Sequence, residues 1–190
     1  MLTFVKIESA MASNSDINVA TPEATLAAQP TDTPTPTPPP IGMPVTIIIP
    51  KMQTNAPVVP VGTDFEGKMT MPEDWEKTAW FSGAGSFKPG EKGNAVIAGH
   101  LDTIYGTLGQ FYNLNLLTPG DDVFVQDSLG VTRHFVVTDK QTYDFDKAPL
   151  TDIFGMSDEK HLNLITCTGW YNAALHNYTQ RLVVYTKLAE

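Results

Sequence analysis

"DDVFVQDSLGVTRHFVVTDKQTYDF" (Asp121–Phe145) holds two strand-like runs joined by a turn. "DDVFVQD" (Asp121–Asp127) alternates in the two-residue period of a strand with one face buried, "SLG" supplies the turn, and "VTRHFVVTDKQTYDF" (Val131–Phe145) returns. The same texture extends outward in both directions. "VTIII" (Val45–Ile49), "APVVPVG" (Ala56–Gly62), "NAVIAGH" (Asn94–His100), "HLNLITCT" (His161–Thr168) and "QRLVVYTKL" (Gln180–Leu188) read as further short strands. The prolines of Ala56–Gly62 predict an edge or a bulge. Helical pattern is scarce: Thr107–Leu117 predicts a short helix and "APLTDIFG" a single turn. Seven or eight short strands with few helices predict an all-β domain, an antiparallel barrel or sandwich.

The first 42 of the 190 residues are of another kind. "TPEATLAAQPTDTPTPTPPP" (Thr21–Pro40) has almost no large apolar residues, so it cannot bury enough surface to offset the entropy of ordering. Residues 1–42 are therefore expected to be a disordered Pro/Thr-rich spacer, semi-stiff where Thr and Pro alternate, and residues 43–190 a single folded domain. The opening "MLTFVKIESAMA" is too weak for a signal peptide, and no apolar run is long enough for a membrane span.

Composition excludes several classes of function. A net charge of −9 argues against a nucleic-acid partner. A single cysteine, Cys167, excludes an internal disulfide and any zinc site built on several thiolates. Only Arg133 and Arg181 carry a guanidinium. Arg133 stands beside His134 within a strand, away from the cysteine.

Cys167 falls near the end of an apolar run, where loops and function concentrate. A reactive thiol needs a basic or cationic partner. His100 ends another apolar strand, and Arg181 opens the last one, 14 residues after Cys167. Strands ending at one end of a barrel would unite the three as nucleophile, acid–base and fixed cation. A lone cysteine on an apolar strand is also common core filler, so spacing leaves both readings open.

The text around these residues resembles the sortases, the bacterial surface transpeptidases. "NLITC" (Asn163–Cys167) is similar to the family's Thr-Leu-x-Thr-Cys nucleophile motif, with Thr166 and Cys167 matching and Asn163 in place of the first Thr. "VIAGHLDT" (Val96–Thr103) resembles its histidine segment, and "QRLVVYT" (Gln180–Thr186) its arginine strand, in the family's order. The likeness covers roughly residues 45–188, and "IIIPKMQTNAPVVPVG" and "AVIAGHLDT" look most like classes E and F.

The resemblance implies a closed eight-stranded β-barrel with short helices. It implies a transpeptidase that cleaves a C-terminal sorting signal such as Leu-Pro-x-Thr-Gly after the Thr and passes the acyl group to an amine on a cell-wall precursor or a pilin. Its partners would be surface proteins bearing that signal, its place the outside of the bacterial cell, and it would need no cofactor or metal. By the same resemblance Cys167 is the nucleophile, His100 the general acid and base, Arg181 the substrate and oxyanion ligand, and Thr166 part of the oxyanion site. The family's usual N-terminal membrane anchor has no counterpart in this chain, and the Pro-Thr spacer fits its omission. The acidic "TDKQTYDFDK" (Thr138–Lys147) reads as a solvated loop. Two rivals remain: an L,D-transpeptidase, whose Cys and Arg lie within a few residues of each other whereas "TGW" follows Cys167, and a non-catalytic β-barrel that binds surface proteins.

Overall fold

A computed structural model describes residues 39–103 and 105–189. The expected N-terminal spacer lies almost wholly outside them, and the barrel unit runs from Pro39, four residues before the expected boundary at 43.

Eight strands form the unit: β1 (Pro44–Ile49), β2 (Thr54–Val61), β3 (Thr78–Phe81), β4 (Gly93–Ala98), β5 (Asp122–Asp127), β6 (Thr132–Asp144), β7 (Lys160–Asn172) and β8 (Asn177–Leu188). They close into a barrel in the order β1-β2-β3-β4-β7-β8-β6-β5. The all-β barrel read from the sequence is thus the observed fold, but it is not wholly antiparallel. β2 runs parallel to β3, and β4 runs parallel to β7. Parallel neighbours need long crossovers, and the chain supplies them in residues 62–77 and in the passage from β4 through β5 and β6 to β7.

β3, "TAWF", is the strand that the sequence pattern does not reveal, being only four residues long. The prolines of β2 are not on a barrel edge. Pro57 closes the pairing with β1, whose register runs from Thr54 to Pro57, and Pro60 lies where β2 pairs with β3, from Val58 to Val61. Each half of β2 is paired on one side only, so a residue without an N–H can be seated in either half. The helix expected over Thr107–Leu117 reduces to a 3-10 turn at Leu114–Leu116, while "APLTDIFG" gives the short helix α1 (Leu150–Phe154). "TDKQTYDFDK" is mostly strand: it belongs to β6 as far as Asp144.

Two apolar clusters flank the sheet. Ile47, Ile97, Phe111, Phe135, Leu164 and Val184 are among those filling the barrel. Val96, Ile153 and Val183 form a smaller cluster on the outer face of β4 and β8, beneath α1. β4 is buried at all six positions because both of its faces are covered, the usual state of a strand with a parallel neighbour. Asn163 of β7, fully buried, donates from Nδ2 to the Ile153 carbonyl at 2.7 Å and ties α1 to the sheet. In the 13 residues of β7, odd-numbered Asn163, Ile165 and Cys167 share the outer face, and Leu162 and Leu164 face the barrel interior.

Candidate active site

Register alone brings two of the three expected residues together. Cys167 of β7 and Arg181 of β8 are direct cross-strand partners. Such partners carry their Cβ atoms about 4.5–5.5 Å apart on one face of the sheet. Neither residue stands at a strand end, as the sequence suggested. β7 continues to Asn172 and β8 begins at Asn177, so the pair sits part-way along a long hairpin with an irregularity between Thr168 and Tyr171. Gly169 takes φ +83° there, a conformation that side chains rarely adopt, which accounts for the glycine after the cysteine motif.

His100 comes from the strand on the other side of β7. β4 ends at Ala98, which registers with Ile165, and the Gly99 N–H donates to the Ile165 carbonyl at 3.0 Å. The parallel strands therefore advance together, and His100 leaves the sheet level with Cys167. Thr166 secures this junction: its hydroxyl donates to the Gly99 carbonyl at 2.8 Å, and the residue is 3% exposed. A Cβ on Gly99 would lie 2.5 Å from the buried Phe111 ring, so the Gly-His pair is fixed by packing.

The imidazole is oriented by a carbonyl. His100 Nε2 lies 2.8 Å from the Pro72 oxygen, in the crossover between β2 and β3. A carbonyl only accepts, so Nε2 carries the proton, and Nδ1 is the ring nitrogen left for chemistry.

Among the described residues Arg181 has no counter-ion. Nη1 donates to the carbonyls of Tyr178 and Gln180 at 3.1 and 2.8 Å, and Nη2 donates to Asn177 Oδ1 at 2.7 Å. All these acceptors are neutral, so the guanidinium keeps its full charge, and the Nε–H and one Nη2–H remain for another acceptor. Burial pushes the Cys167 thiol up from its ordinary value; Arg181 opposes this and the Asp102 carboxylate adds to it. The thiol is thus protonated at neutral pH until a base takes its proton.

The sequence reading missed Asp102 and Tyr178. The Tyr178 hydroxyl donates to Asp102 Oδ2 at 2.6 Å, and that bond, aided by burial, pushes the phenol up to about 12. It joins the His100 segment to the hairpin that carries Cys167 and Arg181. Asp102 is visible in "GHLDT", but nothing local indicates a partner 76 residues away. A cavity of about 320 Å³ opens at Cys167, lined also by Leu101, Tyr112, Asn113 and Thr168. A larger one of about 440 Å³ lies beside α1, near Asn94, Asn163 and Tyr185, and includes none of the three expected residues.

Arg133 serves elsewhere. It makes a buried ion pair with Asp127 at 2.6 Å, and Asp127 also accepts the N–H groups of Gly42, Leu129 and Val131. Arg133 lies in a strand away from the cysteine, as the sequence suggested, and closes the turn between β5 and β6.

Known proteins share this barrel. A model of the sortase domain matches residues 47–189. No curated protein matches the sequence. Among solved structures, sortase C-1 from Actinomyces oris aligns with a TM-score of 0.58 at 24% identity, over 76% of this chain and 71% of that one. Sortase C1 of Streptococcus agalactiae, in complex with MTSET, gives 0.59 at 24% over 76% of this chain and 66% of that one. A lid mutant of sortase A from Corynebacterium diphtheriae gives 0.59 at 23% over 80% and 73%. The domain match spans the barrel from within β1 to Ala189, just after β8, and takes in the Cys167–Arg181 pair and the His100 junction; the chain belongs to the sortase family of cysteine transpeptidases.

Proposed function

We propose that Cys167, His100 and Arg181 carry the transpeptidation and that the substrate is a protein bearing an LPxTG-like C-terminal sorting signal, cut after its Thr. The observation that supports this most is the direct pairing of Cys167 with Arg181, flanked by His100 at the end of the parallel strand. His100 Nδ1 takes the thiol proton as sulfur attacks the Thr carbonyl, which overcomes the raised pKa of the buried thiol. The free N–H groups of Arg181 receive the oxyanion. The imidazolium then protonates the departing amine, and a thioacyl-enzyme remains. An amine from a cell-wall precursor or a pilin attacks the thioester, gives its proton to His100 and releases the thiol.

Thr166 acts in this reading by fixing Gly99 and therefore His100, since its hydroxyl is already committed. The site belongs outside the bacterial cell, where such signals and acceptors are presented. The class E/F reading rests on the segments "IIIPKMQTNAPVVPVG" and "AVIAGHLDT". Mixing the protein with a panel of sorting-signal peptides and weighing it by mass spectrometry tests the proposal. One class of peptide should leave an acyl adduct, which hydroxylamine should remove; no adduct with any peptide would refute the substrate assignment.

A further inference from the structure

One carboxylate beside the thiol has no part in the chemistry above. Asp102 stands two residues after His100, half-buried. Its Oδ2 accepts from the Tyr178 hydroxyl at 2.6 Å. The Tyr178 carbonyl in turn accepts from Arg181, which pairs with Cys167. Asp102 is thus built into the ring of groups around the nucleophile. Among the described residues no Lys, Arg or His lies within ion-pair distance of it. Its negative charge opposes ionisation of Cys167, so acylation gains nothing from its presence. The second half-reaction is different. A primary alkylamine has an ordinary pKa of about 10.4 and arrives as a cation. A fixed, unpaired carboxylate next to the thioester attracts it and accepts a charge-assisted hydrogen bond. Water, the competing nucleophile, carries no charge and gains no such advantage.

We infer that Asp102, held in place by Tyr178, is the recognition residue for the acceptor amine. The inference deepens the proposed function and rests on it. The ammonium docks on the carboxylate and loses one proton to solvent. Its nitrogen then attacks the thioester carbonyl and forms the C–N bond. His100 Nδ1 takes the second proton and passes it to the sulfur as the C–S bond breaks, so Cys167 leaves as the thiol.

The test partitions one thioacyl-enzyme between two nucleophiles. Glycinamide is mostly cationic at neutral pH and hydroxylamine mostly uncharged. The full chain, acylated by a sorting-signal peptide, is offered both, and the ratio of amide to hydroxamate product is read. Asp102→Asn should lower that ratio about tenfold, and Tyr178→Phe, which keeps the carboxylate, should lower it less. In the unmodified protein, raising salt from about 0.05 M to about 1 M should lower the ratio several-fold, because screening weakens the attraction. The salt measurement needs no variant to fold. An Asp102→Asn ratio equal to that of the unmodified protein, or a ratio indifferent to salt, would overturn the role of Asp102 while leaving the thioacyl chemistry intact. Absence of any thioacyl-enzyme would instead refute the proposed function.

Discussion

Arg181 carries a positive charge that no described carboxylate neutralises, and its contacts are all to neutral oxygens on its own hairpin. Lysine would keep the charge and lose the planar fork that allows several donors to act at once. Arg181→Lys should therefore reduce peptide cleavage by about two orders of magnitude, in line with loss of an oxyanion donor. Its melting temperature should stay close to that of the parent. A large thermal loss would make Arg181 a structural residue. The thiol offers a second check. Burial and Asp102 push its pKa up while Arg181 alone opposes them, so iodoacetamide alkylation of Cys167 should keep rising with pH beyond about 8.5, the ordinary thiol value. Asp102→Asn should shift that profile to lower pH. A profile already flat at neutral pH would show a thiolate formed in advance and contradict the protonated resting thiol.

The elements explain why some of this was legible in the sequence and some was not. β4, β7 and β8 read as strands because their apolar and β-branched runs are long enough to show. The 14-residue interval from Cys167 to Arg181 is that of a hairpin, which the register confirms. β3 is too short to stand out, and the parallel pairings depend on long crossovers that no local pattern reports. For the same reason Pro72 and Asp102 stayed hidden: each is defined by a contact with a residue far along the chain. Asn163, which departs from the motif that the sequence resembles, finds its reason at this scale, since its amide tethers α1 to β7. Asn163→Asp would remove the donor and bury a charge against a carbonyl. We expect it to cost about 3 kcal/mol or more, measured by chemical denaturation. A cost below about 1 kcal/mol would mean that α1 docks by its apolar face alone.

For the whole molecule, the Arg133–Asp127 pair is the most buried ion pair among the described residues. Burial would raise the Asp127 carboxyl, but Arg133 and three backbone N–H groups overcome it and hold the pKa at about 2. A carboxyl with a lowered folded-state pKa stabilises the fold above its unfolded value of about 3.9 and loses that contribution as pH falls towards 2. The difference corresponds to about 2–3 kcal/mol. Stability should therefore decline between about pH 4 and pH 2, and Asp127→Asn should flatten this decline while lowering stability at neutral pH. The pair also sets where the chain can be shortened. The Gly42 N–H donates to Asp127 and the Met43 N–H to Ser128. Removing residues 1–38 should leave the melting temperature within a few degrees, whereas removing 1–42 should lower it further. The most direct test of the central claim is peptide mapping of the acyl adduct formed with a sorting-signal peptide. The adduct should map to Cys167, and Cys167→Ala should retain the fold, form no adduct and cleave at less than about a hundredth of the parent rate. An adduct on another residue, or cleavage by Cys167→Ala at near the parent rate, would contradict the assignment.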